Sequence, residues 1–197
     1  MLKQALFSVA FLSIALAGPV SAQRLELTSI PQPVDRPVGG QVETPDAALV
    51  RSVADWISNV FGLPEMRTLP TTRRFQAGKF ALLPSKSVLS DRLSDTVVFD
   101  YQQSGRKVVA HYDDATKMIF LSDGWKGSTP AEMSVLVHAM VHHFQNVSGR
   151  TNYDCPEERK ALPYEAQERW LGLYGRSLRE DFKIEPATLM LITQCMP

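Results

Sequence analysis

The sequence predicts a single α+β domain in which a small antiparallel sheet packs against a central helix. Two runs of β-type residues, 107–112 and 118–121, flank a polar turn at 113–116, which is the pattern of an antiparallel hairpin. A strongly apolar helix pattern follows, and an amphipathic helix pattern precedes the hairpin. The chain is therefore divided into residues 1–22, residues 23–43 and one domain over residues 44–197.

Residues 1–22 have the composition of a secretory signal peptide. Lys3 supplies a basic start, residues 5–17 form an apolar run, and Val20-Ser21-Ala22 fits the small-x-small cleavage rule. The apolar run is shorter than the roughly 20 residues that a membrane-spanning helix needs. We therefore expect cleavage after Ala22 and a secreted or periplasmic chain that is not inserted in a membrane.

The charge balance argues against a nucleic-acid partner. The chain carries 21 Lys and Arg residues against 21 Asp and Glu residues, and the signal peptide contains only Lys3 among these. A net charge near zero gives no long-range attraction for nucleic acid or for an anionic membrane. The 175 residues that remain after cleavage suit one domain with a substantial core.

The helices are predicted from their boundary residues. Residues 23–43 are rich in proline without apolar periodicity, and they are expected to form an extended leader. Thr44 followed by Pro45 predicts a first helix start, and Gly62 predicts its end. A capping-box pattern at residues 129–132, with Thr129, Pro130, Ala131 and Glu132, predicts the start of the central helix, and Ser148-Gly149 predicts its end. A third helix is predicted from Pro163 to about Leu178. A short helix is predicted after Pro186.

Cys155 and Cys195 are the two cysteines of the chain. An even count in an exported chain favours a disulfide, which would stabilise the fold by roughly 3 to 4 kcal/mol through closure of a loop of about 40 residues. Two unrelated buried thiols are the alternative.

The central helix carries a histidine pair with metal-ligand spacing. His138 and His142 lie one helical turn apart, which brings both imidazoles to one point and supplies two of the four positions of tetrahedral zinc. An open zinc site needs a third protein ligand, and Glu165 in the first turn of the predicted third helix is our candidate. Weaker candidates are Glu168, Glu157 and Glu158.

Satisfied core histidines are the alternative to a metal site. Two buried imidazoles without partners would cost a few kcal/mol, which a bound metal would remove. His143 points about a quarter turn away from His142 and is expected to donate a structural hydrogen bond. His111, in the first strand of the hairpin, is expected to be a packed or surface residue.

The segment from Leu136 to Gln145 resembles the L-V-H-E-x-V-H-H-x-Q stretch of small secreted bacterial zincin-like metallopeptidases. Cys155 and the P-x-E-A-Q segment at residues 163–167 extend the resemblance, which covers roughly residues 105–197. It implies a zincin-like fold, one zinc per chain, and gluzincin-type ligands; these ligands are His138, His142 and Glu165. It further implies hydrolysis of a peptide or protein substrate in a cleft lined by an edge strand at residues 117–121.

Ala139 departs from this pattern, because H-E-x-x-H proteins have their general-base Glu at that position. The Glu takes a proton from zinc-bound water and passes it to the leaving amine, which a methyl group cannot do. Its loss is typically worth about 10²- to 10⁴-fold in rate, whereas metal binding does not need it. Ala139 fits either an inactivating substitution made in an active enzyme or a natural loss in a pseudoenzyme.

Three functional hypotheses follow. The first is a zinc-binding domain of the metallopeptidase class whose hydrolysis is disabled by Ala139. The second is a non-catalytic secreted binding module whose zinc is structural or absent. The third is a structural protein with a histidine-rich core helix, which would be free of metal.

Overall fold

The computed structural model of the protein describes residues 45–76, 97–100, 107–150 and 152–195. The expected signal peptide and leader, residues 1–22 and 23–43, lie outside them. The described residues form a mixed α+β fold, as the sequence predicts. Its elements are α1 (Ala47–Phe61), β1 (Thr71–Phe75), β2 (Val97–Asp100), β3 (Lys107–Asp113), β4 (Met118–Ser122), α2 (Pro130–Val147), α3 (Glu158–Gly172), α4 (Leu178–Phe182) and α5 (Pro186–Thr193).

The sheet has four strands in the order β1-β4-β3-β2. The hairpin prediction is confirmed, since β3 and β4 pair antiparallel through a turn in which the Asp113 carboxylate accepts the backbone N–H of Ala115. β1 adds in parallel to the other side of β4. The expectation that residues 117–121 form an edge strand is therefore wrong, because β4 is flanked on both sides.

The central helix α2 begins where its boundary residues predict. The Thr129 hydroxyl accepts the backbone N–H of Glu132, whose carboxylate in turn accepts the backbone N–H of Thr129, and Pro130 occupies the first turn. This reciprocal pair satisfies donors that a helix start otherwise leaves open. The helix packs against β3 and β4 on one side and most extensively against α3. Its residues 133–145 are all buried.

Three helix boundaries differ from the prediction. α1 begins at Ala47 with Asp46 as its N-cap, not Thr44, because the Asp46 carboxylate accepts the N–H of Leu49 at 2.7 Å. α3 begins at Glu158, so Pro163 lies inside it, and it ends at Gly172. The chain then turns through Gly175, whose φ of 66° favours glycine, and Ser177 caps the separate helix α4.

The core joins α1, the sheet, α2 and α3 in one cluster. Trp170 of α3 is fully buried and meets Trp56 of α1 edge to face, with ring centroids 5.1 Å apart. The disulfide prediction is also confirmed: Cys155, just before α3, is bonded to Cys195 after α5. These contacts hold α3 against the face of α2 that carries the histidine pair.

Candidate metal centre

The histidine pair lies in the middle of α2, away from solvent. The side chains of His138 and His142 are 1% and 0% exposed, and their ring centroids are 5.0 Å apart. Their Nε2 atoms face each other at 3.2 Å. Tyr164 of α3 meets the His138 ring edge to face at 4.6 Å and closes one side of the pair. The structure thus brings the two predicted histidine ligands together.

Each imidazole of the pair is also bonded through its other nitrogen to a glutamine. His138 Nδ1 lies 2.9 Å from Oε1 of Gln167, which belongs to α3. His142 Nδ1 lies 3.2 Å from Oε1 of Gln145, one turn further along α2. A carboxamide oxygen only accepts hydrogen bonds, so each Nδ1 carries the proton and donates it. With the glutamines in these orientations, each Nε2 is an acceptor that faces the other at 3.2 Å, which is also a hydrogen-bond distance.

Burial keeps both rings neutral at pH 7. It lowers the pKa of His138 to about 4, against a partial opposing effect of the bond to Gln167 and a small further lowering by Lys160. Burial also holds the pKa of His142 well below its ordinary value, and the charges of His138 and Arg159 act in the same direction. Neutral imidazole is the form that binds metal ions.

His143, the next residue along α2, has the opposite tautomer. Its Nε2 donates to the backbone carbonyl of Thr68 at 2.7 Å, so its Nδ1 accepts the Tyr112 hydroxyl at 3.1 Å. Asn146 donates in turn to that hydroxyl at 3.0 Å. The expectation that His143 donates a structural hydrogen bond is confirmed. His111 is buried and stacks on Phe120, which agrees with a packed role.

Glu165 does not join the pair in this structure. Its side chain is 49% exposed and forms an ion pair with Arg169 at 2.7 Å. Glu168 is also exposed and accepts the backbone N–H of Leu178. Within the described ranges, no group of three or more His, Cys, Asp or Glu side chains gathers as a metal-binding set. The assignment of Glu165 as third ligand stays a prediction.

The rotation of α3 about its axis explains why Gln167, and not Glu165, reaches the histidine pair. Tyr164, Gln167 and Trp170 follow at three-residue spacing and are all buried. Glu165 precedes Gln167 by two positions, which places the two side chains about 200° apart around the helix. The two cannot face α2 together.

The family model described as a domain of unknown function (DUF6647) matches residues 43–197. The chain belongs to this family. It matches no curated protein and no solved structure. In the part of the chain that the structure describes, none of the helices combines the length and the apolar character needed to cross a bilayer.

Ala139 is fully buried on the central helix of this DUF6647 domain. Its methyl group has no atom that accepts or donates a proton, so the position of the general base in H-E-x-x-H offers no acid–base chemistry here. The residue directly follows His138, which retains its contacts to His142 and Gln167. With Ala139 at this position, the two imidazoles remain in contact.

Sequence reasoning missed the two glutamines and the tyrosine around the pair. A signal for Gln167 and Tyr164 exists, since both lie on the same stripe of α3 as Trp170. Gln145 lies three residues after His142, so its side chain is within reach on the same helix face. Glutamine is not a usual zinc ligand, so metal-ligand spacing does not single out either residue.

Proposed function

We propose that this DUF6647 chain is a zinc-binding domain of the zincin-like metallopeptidase class, with hydrolysis disabled by Ala139. His138 and His142 hold the metal through their Nε2 atoms, and Glu165 is the third ligand. The mature domain is secreted or periplasmic, and its ligand is a peptide or protein.

The distance between the two Nε2 atoms carries this proposal. Two nitrogens that each lie about 2.0–2.1 Å from a tetrahedral zinc are about 3.3–3.4 Å apart. The two Nε2 atoms are 3.2 Å apart. Each ring has its Nδ1 engaged by a glutamine, so Nε2 is the nitrogen left for a metal on both rings.

The burial of the pair supports a metal over satisfied core histidines. With the proton of each ring on Nδ1, the two Nε2 atoms are both acceptors, so the 3.2 Å contact between them contains no proton to share. A cation between them makes a bond with each acceptor. His143 differs from the pair, since its two nitrogens contact a donor and an acceptor from other elements, the Tyr112 hydroxyl and the Thr68 carbonyl.

The zincin-like assignment is supported by the arrangement around α2. The helix with the histidine pair packs on an antiparallel hairpin, and α3 follows it in the chain and packs beside it. The disulfide between Cys155 and Cys195 supports an oxidising compartment, where such bonds persist.

Bound zinc would supply Lewis-acid polarisation to a ligand. His138 and His142 bind it as neutral donors, and Ala139 contributes no proton transfer. The burial of His138 and His142 away from solvent also favours the second hypothesis, a non-catalytic binding module whose zinc is structural or absent.

Metal content tests the proposal. Mature protein dialysed against zinc should hold about one zinc per chain by elemental analysis, and a chelator should remove it. His142→Ala should lose most of the zinc. Because that variant loses a buried ring, wild-type protein is also titrated with zinc at constant pH, and its unfolding temperature should rise with zinc concentration. A wild-type protein that stays free of zinc and shows no such rise contradicts the proposal.

The third ligand has its own matched pair of variants. Glu165 and Glu168 are both exposed residues of α3 one turn apart. Glu165→Ala should lose most of the zinc, whereas Glu168→Ala should retain it. For Glu165 to reach the metal, it must leave Arg169, and this turn of α3 must rotate so that Gln167 leaves His138. The bond between Gln167 and His138 therefore belongs to the metal-free protein. If Glu165→Ala bound as much zinc as wild type, the third ligand would be another residue, and the assignment of His138 and His142 would be unaffected.

A further inference from the structure

We propose that Gln145 and Gln167 are positioning residues that lock His138 and His142 in the Nδ1–H tautomer, and that Pro163 is what allows Gln145 to do so. This inference rests on the proposed function, since it concerns how the two rings are prepared for a metal. It assigns roles to residues that are not themselves ligands.

Pro163 opens a hydrogen-bond acceptor in α3. A residue inside an α-helix donates its N–H to the carbonyl four positions earlier, and proline has no N–H to donate. The carbonyl of Arg159 therefore receives no N–H from residue 163. Gln145 of α2 fills this place, because its Nε2 donates to the Arg159 carbonyl at 3.0 Å.

This bond fixes which end of the Gln145 side chain faces His142. Since the amide nitrogen is used by the Arg159 carbonyl, the amide oxygen points to the imidazole, at 3.2 Å from Nδ1. An oxygen there accepts the Nδ1 proton, whereas a nitrogen there would favour a bare Nδ1. The proline thus determines the tautomer of His142 through one glutamine.

Gln167 is oriented by a different device. Ser134 donates its hydroxyl proton to the carbonyl of Ala131 at 2.7 Å, so its oxygen is left as an acceptor. The amide nitrogen of Gln167 donates to that oxygen at 3.3 Å, and the amide oxygen then faces His138 Nδ1 at 2.9 Å. The four residues linked by these hydrogen bonds, Ala131, Ser134, His138 and Gln167, all lie on α2 or α3.

Both devices direct the same result at the metal side of the rings. With the proton on Nδ1, each Nε2 is a free donor atom before any metal arrives. Outer partners of metal-binding histidines commonly hold the tautomer in this way, and their loss weakens metal binding by about 10- to 100-fold. Here the partners are neutral amides, so they fix the proton without adding charge.

The tautomers are measured in metal-free protein by long-range ¹H–¹⁵N correlation NMR of the histidine rings. We expect Nδ1–H for His138 and His142 and Nε2–H for His143, which serves as an internal reference of the opposite form. A spectrum in which either His138 or His142 carries its proton on Nε2 overturns the lock for that ring.

Pro163→Ala separates positioning from folding. Alanine restores the helical N–H and suits a helix better than proline by about 3 kcal/mol, so the variant should fold at least as well as wild type. The Arg159 carbonyl then has a second, helical donor that competes with Gln145 for it. We expect His142 to lose its fixed tautomer while His138 keeps it, and zinc to bind about 10-fold more weakly. Unchanged tautomer and unchanged zinc affinity would refute the role of Pro163.

Conservative variants of the two glutamines give opposite results. Gln167→Glu keeps an acceptor for His138, and its charged carboxylate is a stronger acceptor than the Ala131 carbonyl and so draws the Ser134 proton away from it. The tautomer and zinc affinity should therefore be retained. Gln145→Glu sets a carboxylate oxygen against the Arg159 carbonyl with no proton between them, so zinc affinity should fall about 10- to 100-fold. Equal effects of the two variants contradict the proposed devices.

The two proposals fail in different experiments. If wild-type protein shows the expected tautomers but no zinc binding by titration, the proposed function is wrong, and the rings are locked for another reason. If it binds zinc with His142 unlocked in the metal-free form, the metal site stands and the positioning role is wrong.

Discussion

Acidification of the metal-free protein should lower its stability in a narrow pH window, because His138 is buried as a neutral ring. The pKa of His138 is about 4 in the folded chain and 6.5 in its ordinary state. The unfolded chain therefore binds the proton more readily than the folded chain does. The stability contribution is complete above pH 6.5 and is lost as the pH falls from 6.5 toward 4.

The size of the effect follows from these two pKa values. His138 has a pKa of 6.5 in the unfolded chain and about 4 in the folded chain. Relative to neutral pH, this difference lowers the free energy of unfolding by about 2 kcal/mol at pH 5 and by about 3 kcal/mol at pH 4. His142 acts in the same direction, since burial also holds its pKa well below its ordinary value. The figure for His138 is thus a lower bound for the pair.

Urea unfolding of metal-free protein at pH 7.5 and at pH 5 measures the loss. The control is His138→Gln, which removes one titrating ring and keeps a polar side chain; its loss between the two pH values should be smaller than that of wild type by about 2 kcal/mol. Equal losses in wild type and His138→Gln would refute the reasoning, because the titration would then lie in other groups.

Two further predictions concern the missing base and the disulfide. Ala139→Glu should create chelator-sensitive hydrolysis of unstructured protein substrates with zinc content unchanged, provided the domain is a disabled peptidase; Ala139→Gln, which has the same shape without a base, should remain inactive. Normal zinc with no cleavage by Ala139→Glu would favour the binding module. Replacing Cys155 and Cys195 together by alanine should lower the free energy of unfolding by about 4 kcal/mol, from a sequence separation of 40 residues. A change below about 1 kcal/mol in urea titrations would show that the reduced chain is already restrained.

Local sequence patterns predicted the elements whose boundaries depend on neighbouring residues. The capping box at Thr129 and Glu132 and the left-handed residue Gly62 both act within one turn of the backbone, so the sequence contains the whole cause. The pairing of His138 with His142 is equally local, because the helix alone brings them together.

The elements that were predicted wrongly depend on contacts between distant segments. Pro163 was assigned to a helix start because an interior proline is costly; the bond from Gln145 that accommodates it comes from another helix. The edge strand at residues 117–121, which the resemblance implies, is wrong because β4 has a parallel partner, β1, that lies about 45 residues earlier in the chain. The choice between Glu165 and Gln167 depends on how α3 is rotated about its axis against α2. The apolar stripe of α3 does not determine that rotation closely enough to decide between the two residues.

The disulfide also determines how the domain would respond to a protease. The connection between α3 and α4, residues 173–177, is largely exposed and is the kind of surface loop that proteases cut first. Both Cys155 and Cys195 lie outside it, on opposite sides. A single cut there would leave the two fragments covalently joined, so α3 with Gln167 would stay attached to the C-terminal helices. Such a nicked chain would migrate as intact protein until a reductant was added.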